Sequence, residues 1–549
     1  MPTGGINIAQ LYGNKHTGDD RVLETSVSAM IKREPHVLES EVLDAINSLP
    51  NNKAPGIDNL PGELSKSAKD EVIPVLIQIC NKILRDRTWP REWTQSIIIP
   101  LPKKGNLKEC KNYRTISLIS HPSKVMLRII LNRLQPKVEE ILSEEQAGFR
   151  RGRSTTEQIF NIRVIIEKYL HHKLKIFSCF IDFKKAFDRV WHEALWASMH
   201  HYQMPKDLIE VISKLYADST GTVLTAGQLS RQIECKTGVR QGCILSPTLF
   251  NLFLERIMQD AMDDSIEGIS IGGRTIKDLR FADDIAILSS SSRDLTRASN
   301  NLHESACRYG MEISSEKSKV LVFQNNRDQT AIHHTIGNED VEQVRQFKYL
   351  GSMMSEDGTS SKEIDCRIGI ATAALAKLKP LWKDRNLSIA NKIRLMKSLV
   401  ASCFLYGCES WTLTKRLESR INAFEMRSYR SLLKIPYTAH RTNTSVIDEI
   451  LNHIGRFERL LETIKRRKLQ WFGHIVRAEN LSTMILEGCV NGARGRGRPK
   501  RHWLQDITEW SRLSLGELLM KARDRVQWRK LAWRMSRFGA PTIEQPVTG

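Results

Sequence analysis

Three aspartates lie at positions where carboxylates could bind divalent metal ions. Asp283 and Asp284 stand side by side between two short apolar runs in the segment Leu279–Leu288, a pattern that predicts a β-hairpin with both acids at its turn. A third acid, Asp182, ends a separate apolar run about a hundred residues upstream. Neighbouring carboxylates repel each other unless a cation lies between them. Together the three predict a site for two Mg²⁺ ions that would support phosphoryl transfer to the 3′ end of a nucleic acid.

Two further residues follow Asp182 in the same segment. Phe187 lies where an aromatic ring could wall off the sugar of a bound nucleotide, clashing with a ribose 2′-OH and leaving room for deoxyribose. Packing in the core is the alternative interpretation of this ring. Asp188 comes six residues after Asp182, and we predict for it a helix N-cap or a salt bridge instead of metal binding.

A glycine-containing loop, Thr237–Pro247, precedes a predicted helix. Gly238 and Gly242 flank Arg240 and Gln241, so the backbone could approach a phosphate or a base closely. A simple strand-to-helix turn would have much the same composition, so the loop alone does not decide the function.

Three cationic residues are candidates for binding a nucleoside triphosphate. Lys103 follows the predicted strand Ser96–Pro102, Arg114 lies in the segment Asn112–Leu118, and Lys317 lies beyond the acidic hairpin. Nucleotide transfer needs cations opposite the β and γ phosphates and gains from a proton donor for pyrophosphate. Ordinary surface charge is the alternative for each residue taken alone.

Alternating strands and helices are predicted around these residues. A capping box at Ser154 opens a helix that runs to about Leu170, and beyond Gly358 the pattern becomes helical. The other predicted elements are the strands Lys175–Phe183, Val320–Phe323 and Phe347–Leu350, the helix Ser246–Met262 and the hairpin Arg280–Leu288.

The charge of the chain favours polyanionic partners. Its 549 residues carry 83 Lys and Arg against 62 Asp and Glu, a net charge of +21. Residues 451–549 alone carry 20 Lys and Arg against 9 Asp and Glu. Ten cysteines show neither a CxxC pair nor zinc-ligand spacing, and no apolar stretch is long enough to cross a membrane.

Eight short segments occur in an order that resembles the reverse transcriptases of non-LTR (LINE-type) retrotransposons. They are NKAPGIDNLP at 52–61, IIPLPKKG at 98–105, NYRTISL at 112–118, EEQAGFRRGRST at 144–155, FIDFKKAFD at 180–188, GVRQGCILSP at 238–247, FADD at 281–284 and YLG at 349–351. One departure is Thr115, where relatives usually have proline.

The resemblance implies an α+β fold: a right-hand polymerase of fingers, palm and thumb with an antiparallel palm sheet, followed by a helical basic C-terminal region. The implied domains are an N-terminal helical extension at 1–83, fingers and palm at 84–352, a helical thumb at 353–440 and a nucleic-acid-binding region at 441–549.

The resemblance also implies roles for single residues. Asp182, Asp283 and Asp284 would be the catalytic ligands of two Mg²⁺ ions, with Mn²⁺ as an alternative metal. The implied nucleotide-pocket residues are Lys103 and Arg114 at the triphosphate, Phe187 at the sugar, Gln241 at the template or nucleotide, and Lys317, which resembles the lysine of the family's next motif.

The tail resembles the RTE-like branch of this family. Arg466–Arg477 reads as a basic helix with aromatic residues interleaved, and Arg494–Arg501 contains a core like that of minor-groove AT-hooks. A charged linker with a packed tryptophan is the alternative. The residues predicted to bind nucleic acid are Arg466, Arg467, Lys468, Trp471, Arg496, Arg498 and Lys500.

The function expected from these features is RNA-directed DNA synthesis. Expected partners are template RNA, a DNA primer or target DNA, dNTPs and an endonuclease acting in trans, because nothing before residue 50 resembles the family's endonuclease. The chain is thus expected to be a truncated element or a host gene derived from one, active in the nucleus after cytoplasmic synthesis. A catalytically silent RNA-binding protein and a maturase-like splicing cofactor are the alternatives.

Overall fold

The computed structural model describes residues 18–23, 34–103, 105–109, 112–262, 266–325, 331–492 and 500–538. Its strands are β1 Gln95–Pro102, β2 Tyr113–Leu118, β3 Ile176–Ile181, β4 Thr220–Thr225, β5 Gln228–Leu229, β6 Ile233–Glu234, β7 Ile269–Ile271, β8 Arg274–Ile276, β9 Asp278–Phe281, β10 Asp284–Ser289, β11 Lys319–Phe323, β12 Thr335–Ile336, β13 Glu339–Asp340, β14 Gln346–Tyr349 and β15 Ser352–Ser355.

The α-helices are α1 Glu39–Asn47, α2 Gly62–Ser67, α3 Lys69–Asp86, α4 Arg91–Thr94, α5 His121–Ile141, α6 Thr155–His171, α7 His192–His201, α8 Lys206–Ala217, α9 Ser246–Ala261, α10 Ser292–Arg308, α11 Ser361–Lys377, α12 Lys379–Lys383, α13 Ile389–Leu395, α14 Ser402–Phe404, α15 Lys415–Leu433, α16 Asn443–Ile454, α17 Leu460–Ala478, α18 Leu481–Glu487, α19 Trp503–Ser511, α20 Leu515–Arg523 and α21 Arg525–Phe538. Short 3₁₀ turns lie at Asp20–Leu23, Ala186–Arg189, Cys408–Ser410 and Tyr437–Ala439, and a π-helical turn at Met396–Ala401.

The central sheet contains β11, β3, β10 and β9 in that order, and all neighbouring strands are antiparallel. The interior strand β3 is buried along its whole length. A strand covered on both faces reads as a continuous apolar run, which is why its sequence shows no alternation of polar and apolar residues.

This sheet separates two hydrophobic cores. Cys179 of β3 and Ile285 of β10 face one core, which also contains the apolar faces of α9 and α10. Phe180 of β3 faces the other core, which contains the apolar faces of α6, α15 and α17. The C-terminal helices therefore share a core with the strands of the central sheet. The predicted domain boundaries stay predictions.

A second sheet has the order β2-β1-β4-β5, with β6 also paired to β4. The pairing of β1 with β2 is antiparallel and that of β1 with β4 is parallel. In the β1–β2 ladder Arg114 lies opposite Leu101. Lys103 directly follows the end of β1, so Arg114 and Lys103 lie at the same end of this strand pair.

The predicted α+β class with an antiparallel central sheet is confirmed. The helix predicted from Ser154 spans Thr155–His171, with the Ser154 hydroxyl accepting a hydrogen bond from the Glu157 N–H. The helix predicted at Ser246–Met262 spans Ser246–Ala261. Within the described ranges, no helix has the length and apolar character needed to cross a bilayer.

Candidate active site

Asp283 and Asp284 lie at the tip of the hairpin formed by β9 and β10, as predicted. Asp284 pairs with Phe281, so Ala282 and Asp283 form a two-residue turn. Ala282 has a φ of 55°, a positive value of the kind that tight hairpin turns require. The side chain of Asp284 is exposed, whereas the rest of β10, residues 285–289, is buried.

Asp182 directly follows β3, and the ladder between β3 and β10 brings it beside this tip. The last paired residues of the ladder are Ile181 and Ile285. One residue further, Asp182 and Asp284 are the next opposed positions of the same register. Opposed positions in an antiparallel pair have Cα atoms about 4.5–5.5 Å apart and side chains on the same face. The fold thus brings the strand-end acid and the hairpin acids to one edge of the sheet.

Electrostatic coupling links the three carboxylates. Desolvation, followed by repulsion from Asp283 and Asp182, raises the pKa of Asp284 to about 6. Desolvation also raises the pKa of Asp283; repulsion from Asp182 adds to the rise, and hydrogen bonding to its own amide and attraction to Arg114 oppose it. A bound divalent cation would relieve this repulsion.

The acids do not form a closed ligand shell by themselves. Across the described ranges, no group of three or more His, Cys, Asp and Glu side chains is arranged to hold a metal ion. Instead, the Lys317 ammonium lies 3.3 Å from Asp182 Oδ1. The two side chains are 64% and 42% exposed, so this ion pair contributes little stability and can open easily. The donor set itself, carboxylate oxygens with unrelieved repulsion, is of the kind that hard divalent cations prefer.

Gln146 supports the hairpin turn from behind, a role that the sequence did not indicate. Its Oε1 accepts hydrogen bonds from the backbone N–H groups of Ala282 and Gly148, each at 2.8 Å. The side chain is fully buried, and its segment joins β9 through a hydrogen bond from Arg280 N–H to the carbonyl of Glu145. The only sequence signal was membership of the segment 144–155, which does not reveal the turn that Gln146 contacts.

A buried ion-pair network lies beneath the same hairpin. Arg280 contacts Glu255 at 3.1 Å and Asp278 at 2.8 Å, and all three side chains are almost fully buried. Burial raises the pKa of Asp278 to about 6, although attraction to Arg280 opposes the rise. Because an unpaired buried charge is costly, the network fixes β9 against α9.

The predicted triphosphate-binding cations lie close enough to influence each other. The Lys103 N–H donates to the carbonyl of Asn112 at 2.7 Å. Desolvation, followed by repulsion from Arg114, lowers the pKa of Lys103, with smaller contributions from Lys317 and Lys185. Since Arg114 also attracts Asp283 and Lys317 contacts Asp182, these cations border the acidic cleft.

Gln241 contacts a carboxylate of the protein itself. Its Nε2 donates to Asp188 Oδ1 at 2.9 Å, and Asp188 lies inside the 3₁₀ turn Ala186–Arg189. Burial raises the pKa of Asp188, with the Gln241 hydrogen bond acting in the opposite direction. The N-cap or salt bridge predicted for Asp188 is therefore wrong, and the nucleotide or template contact of Gln241 stays a prediction.

The glycines of this loop pack closely on protein backbone. A Cβ on Gly238 would lie 2.7 Å from the Asp188 carbonyl oxygen, and one on Gly242 would lie 2.7 Å from the Ser117 carbonyl oxygen. Both glycines also have positive φ. The absence of a side chain thus allows close packing on the neighbouring turn and on β2, and the approach of this loop to a phosphate or base stays a prediction.

Phe187 is half-buried between the cleft and the core. Its ring stacks on Phe250 with a centroid distance of 4.4 Å and meets the edge of Phe149 at 6.2 Å. The packing interpretation therefore holds for one face of the ring, and the sugar-gate role stays a prediction.

The structure changes the interpretation of the tail residues. Lys468 is fully buried in an ion pair with Asp506, so the prediction that it contacts nucleic acid is wrong. Trp471 is partly buried and packs edge-to-face on Phe160 at the edge of the core, and its contact with nucleic acid stays a prediction.

Of the remaining tail residues, Arg466 is paired with Glu458 at 2.6 Å and Arg467 lies 3.5 Å from Glu409. Lys500 is exposed and donates to the Asp357 carbonyl at 3.3 Å. Arg496 and Arg498 lie outside the described residues.

Comparison with known proteins agrees with this geometry. Residues 101–354 match the family model "Reverse transcriptase (RNA-dependent DNA polymerase)". That range contains the three aspartates, Gln146 and the cations of the cleft. This region is therefore similar to the reverse transcriptases of non-LTR retrotransposons, in agreement with the order of its motifs.

Two relatives from fruit flies resemble most of the chain. The RNA-directed DNA polymerase from mobile element jockey of Drosophila funebris is 27% identical over 501 residues, covering 89% of this chain and 53% of that protein. The probable RNA-directed DNA polymerase from transposon BS of Drosophila melanogaster is 29% identical over 458 residues, covering 79% of this chain and 49% of that protein. The chain thus spans about half the length of the curated relatives it matches. Its assignment to the RTE-like branch stays a prediction.

Among solved structures, telomerase from Candida albicans is similar, with a TM-score of 0.36 and 14% identity over 72% of this chain and 67% of that one. Apo telomerase from Candida tropicalis gives a TM-score of 0.37 and 12% identity over 73% and 69%.

Proposed function

We propose that this protein is an RNA-directed DNA polymerase that adds deoxynucleotides to a primer 3′-OH. The observation that carries the proposal is the β3–β10 register, which sets Asp182 opposite Asp284 beside the turn that contains Asp283. The matched reverse transcriptase family and the polymerase relatives support the same reaction.

Asp182, Asp283 and Asp284 would hold two Mg²⁺ ions. When bound, such ions lower the pKa of an attacking hydroxyl and neutralise the charge that develops on the phosphates. The raised pKa values of the two hairpin acids mean that these carboxylates are poorly compensated in the metal-free protein, which favours cation binding. Lys317 would leave Asp182 when the cleft fills, and its ammonium would then be available to a phosphate.

The cations at the cleft edge would bind and orient the triphosphate. Arg114 offers a fork of N–H donors suited to phosphate oxygens. Lys103 has a lowered pKa, because desolvation and repulsion from Arg114 disfavour its ammonium form. It is therefore a suitable proton donor to the leaving pyrophosphate. Phe187 would exclude a ribose 2′-OH from the face of its ring that does not stack on Phe250.

Template RNA, a DNA primer and dNTPs are the substrates of this proposed reaction. An endonuclease that cuts the target DNA is a further proposed partner of this reaction. Nuclear residence is also proposed, on the strength of the basic tail, and imaging of a tagged protein tests it.

Primer extension on poly(rA)/oligo(dT) with Mg²⁺ tests the reaction. We expect the wild-type protein to extend the primer and Asp283→Asn to lose nearly all extension while remaining folded by circular dichroism. Asp340→Asn, the same change at an exposed acid 79% accessible in β13, is the matched control and should retain activity. Extension by Asp283→Asn at the control rate would remove the site assignment; no extension by the wild-type protein would remove the function.

A further inference from the structure

A cationic groove lies between α17 and α21, and none of the described residues that line it is assigned to nucleotide transfer. Its volume is about 1110 Å³. The cationic side chains that line it are Arg466, Arg525, Arg529, Lys530, Arg534 and Arg537. Among the described residues of the lining, Glu458 is the only acidic one, and it is already paired with Arg466 at 2.6 Å.

The groove exists because α21 has two different faces. Trp528, Ala532 and Met535 are buried, and the Trp528 indole N–H donates to the carbonyl of Leu469 at 2.7 Å, which holds α21 against α17. Another face of α21, beside the buried one, carries arginines and a lysine at helical spacing from residue 525 to residue 537 and lines the groove. At about 1.5 Å per residue, this cationic face is about 18 Å long.

Most of these cations have no anionic partner among the residues that the structure describes. None of the carboxylates in the described ranges forms an ion pair with Arg525, Arg529, Lys530 or Arg534. Surface arginines without partners on one narrow strip repel each other, and bound phosphates would relieve that repulsion.

The groove also contains an aromatic side chain at its surface. Trp533 is 46% exposed, and the Arg537 guanidinium lies 4.5 Å from its ring centroid. Val526, which is 66% exposed, adds apolar surface beside it. A strip of cations with an accessible indole is the arrangement that binds a single strand, because phosphates meet the cations and an unpaired base can stack on the ring. A duplex presents phosphates alone, since its bases are already stacked.

We propose that this groove binds single-stranded RNA. The choice of RNA over single-stranded DNA rests on the proposed function, in which the strand that must be retained during synthesis is the RNA template. The groove would hold that strand at a distance from the reacting end, with phosphates on Arg529, Lys530 and Arg534 and a base on Trp533.

Fluorescence anisotropy with a labelled oligouridylate, without primer or dNTPs, tests the groove. For the triple variant Arg529→Gln, Lys530→Gln, Arg534→Gln we expect the slope of log K against log salt to fall by about 2, since each phosphate contact on a single strand contributes about 0.7. At 0.15 M salt this corresponds to binding weaker by about 50-fold. Trp533→Ala should weaken binding by about fivefold or more, with recovery in Trp533→Phe, which keeps a stacking ring.

A matched control removes the same charge elsewhere. Lys69, Lys82 and Arg91 are exposed cations of the N-terminal helices, and their triple glutamine variant should keep the wild-type slope. Circular dichroism and thermal unfolding of all variants verify folding, and Trp533→Phe remains informative if the triple variant is unstable.

Three results would overturn the proposal. The first is an equal loss of oligouridylate affinity in the groove and control variants, and the second is duplex DNA that competes with the oligouridylate as effectively as unlabelled RNA does. The third is groove-dependent binding of oligodeoxythymidylate or anionic vesicles with the same affinity as RNA. The anisotropy assay involves no DNA synthesis, so the two proposals can fail independently. A protein that does not extend primers could still bind RNA in the groove, and a protein that extends primers could fail to bind RNA there.

Discussion

Replacing Gln146 with methionine tests whether the acidic turn depends on support from the segment behind it. Methionine has nearly the length of glutamine but no carboxamide, so the change removes the acceptor for the Ala282 and Gly148 N–H groups with little change in volume. Each donor left buried without a partner costs about 1–3 kcal/mol. Gln146 Nε2 is itself buried without a partner, so its removal offsets part of that cost. We therefore expect a net loss of about 1–4 kcal/mol in the free energy of unfolding.

Urea unfolding and primer extension, measured on the same preparation, distinguish two possible responses to the lost hydrogen bonds: the turn stays in place, or the turn moves. If the turn stays in place, the unfolding midpoint falls and the residual folded protein remains active. If the turn moves so that its N–H groups reach water, stability falls less and kcat drops, because Asp283 no longer lies beside Asp182. Gln228→Met at the exposed β5 is the control and should change neither quantity. Wild-type stability together with wild-type kcat in Gln146→Met would refute the reasoning.

Three further changes test the site and the tail. The raised pKa of Asp284 belongs to the folded state, so the folded chain binds that proton more tightly than the unfolded chain. In EDTA, the free energy of unfolding should therefore rise as pH falls from about 7 through 6 towards 4. Urea titrations at each pH should show a smaller rise in Asp284→Asn, in which Asp283 and Asp278, whose pKa values are also raised, still contribute. Phe187→Ala should admit ribonucleotides in primer extension while Phe187→Tyr should not, and equal sugar selectivity would count against the gate. Lys468→Met should lower the free energy of unfolding by about 3 kcal/mol, because buried Asp506 would lose the ammonium and keep only the partly exposed Arg501 and the Leu413 N–H among its described partners. The salt dependence of RNA binding should stay unchanged, and a reduced slope would contradict the burial of this lysine.

Local patterns in the sequence were sufficient for the elements that carry the acids. The hairpin around Asp283 and Asp284 was predictable because apolar runs flanking a two-residue turn are a short-range signal. The strand before Asp182 was predictable because burial on both faces leaves an uninterrupted apolar run. The Ser154 cap fixed the start of its helix in the same way, since the hydroxyl and the N–H that it caps are three residues apart.

Contacts between distant segments were not predictable from those patterns. Gln146 and Ala282 are separated by 136 residues, and neither local sequence indicates that the two residues are in contact. The same limit explains the error at Lys468, because a lysine within a basic helix is expected to be solvent-exposed until the position of Asp506 is known. Likewise, the sequence around Gly238 did not indicate that the Asp188 carbonyl lies beside it.

The sequence by itself determined which residue types do the chemistry and in which elements they lie, because helix and strand periodicity, turn residues and caps depend on neighbours a few residues away. Only the tertiary structure decided which side chains meet. The β3–β10 register that opposes Asp182 to Asp284 depends on pairing across about a hundred residues, and the burial of Lys468 and the cationic face of α21 depend on which side of each helix the core occupies. Side-chain periodicity limits such contacts to one face of an element, and the packing of distant segments selects among them.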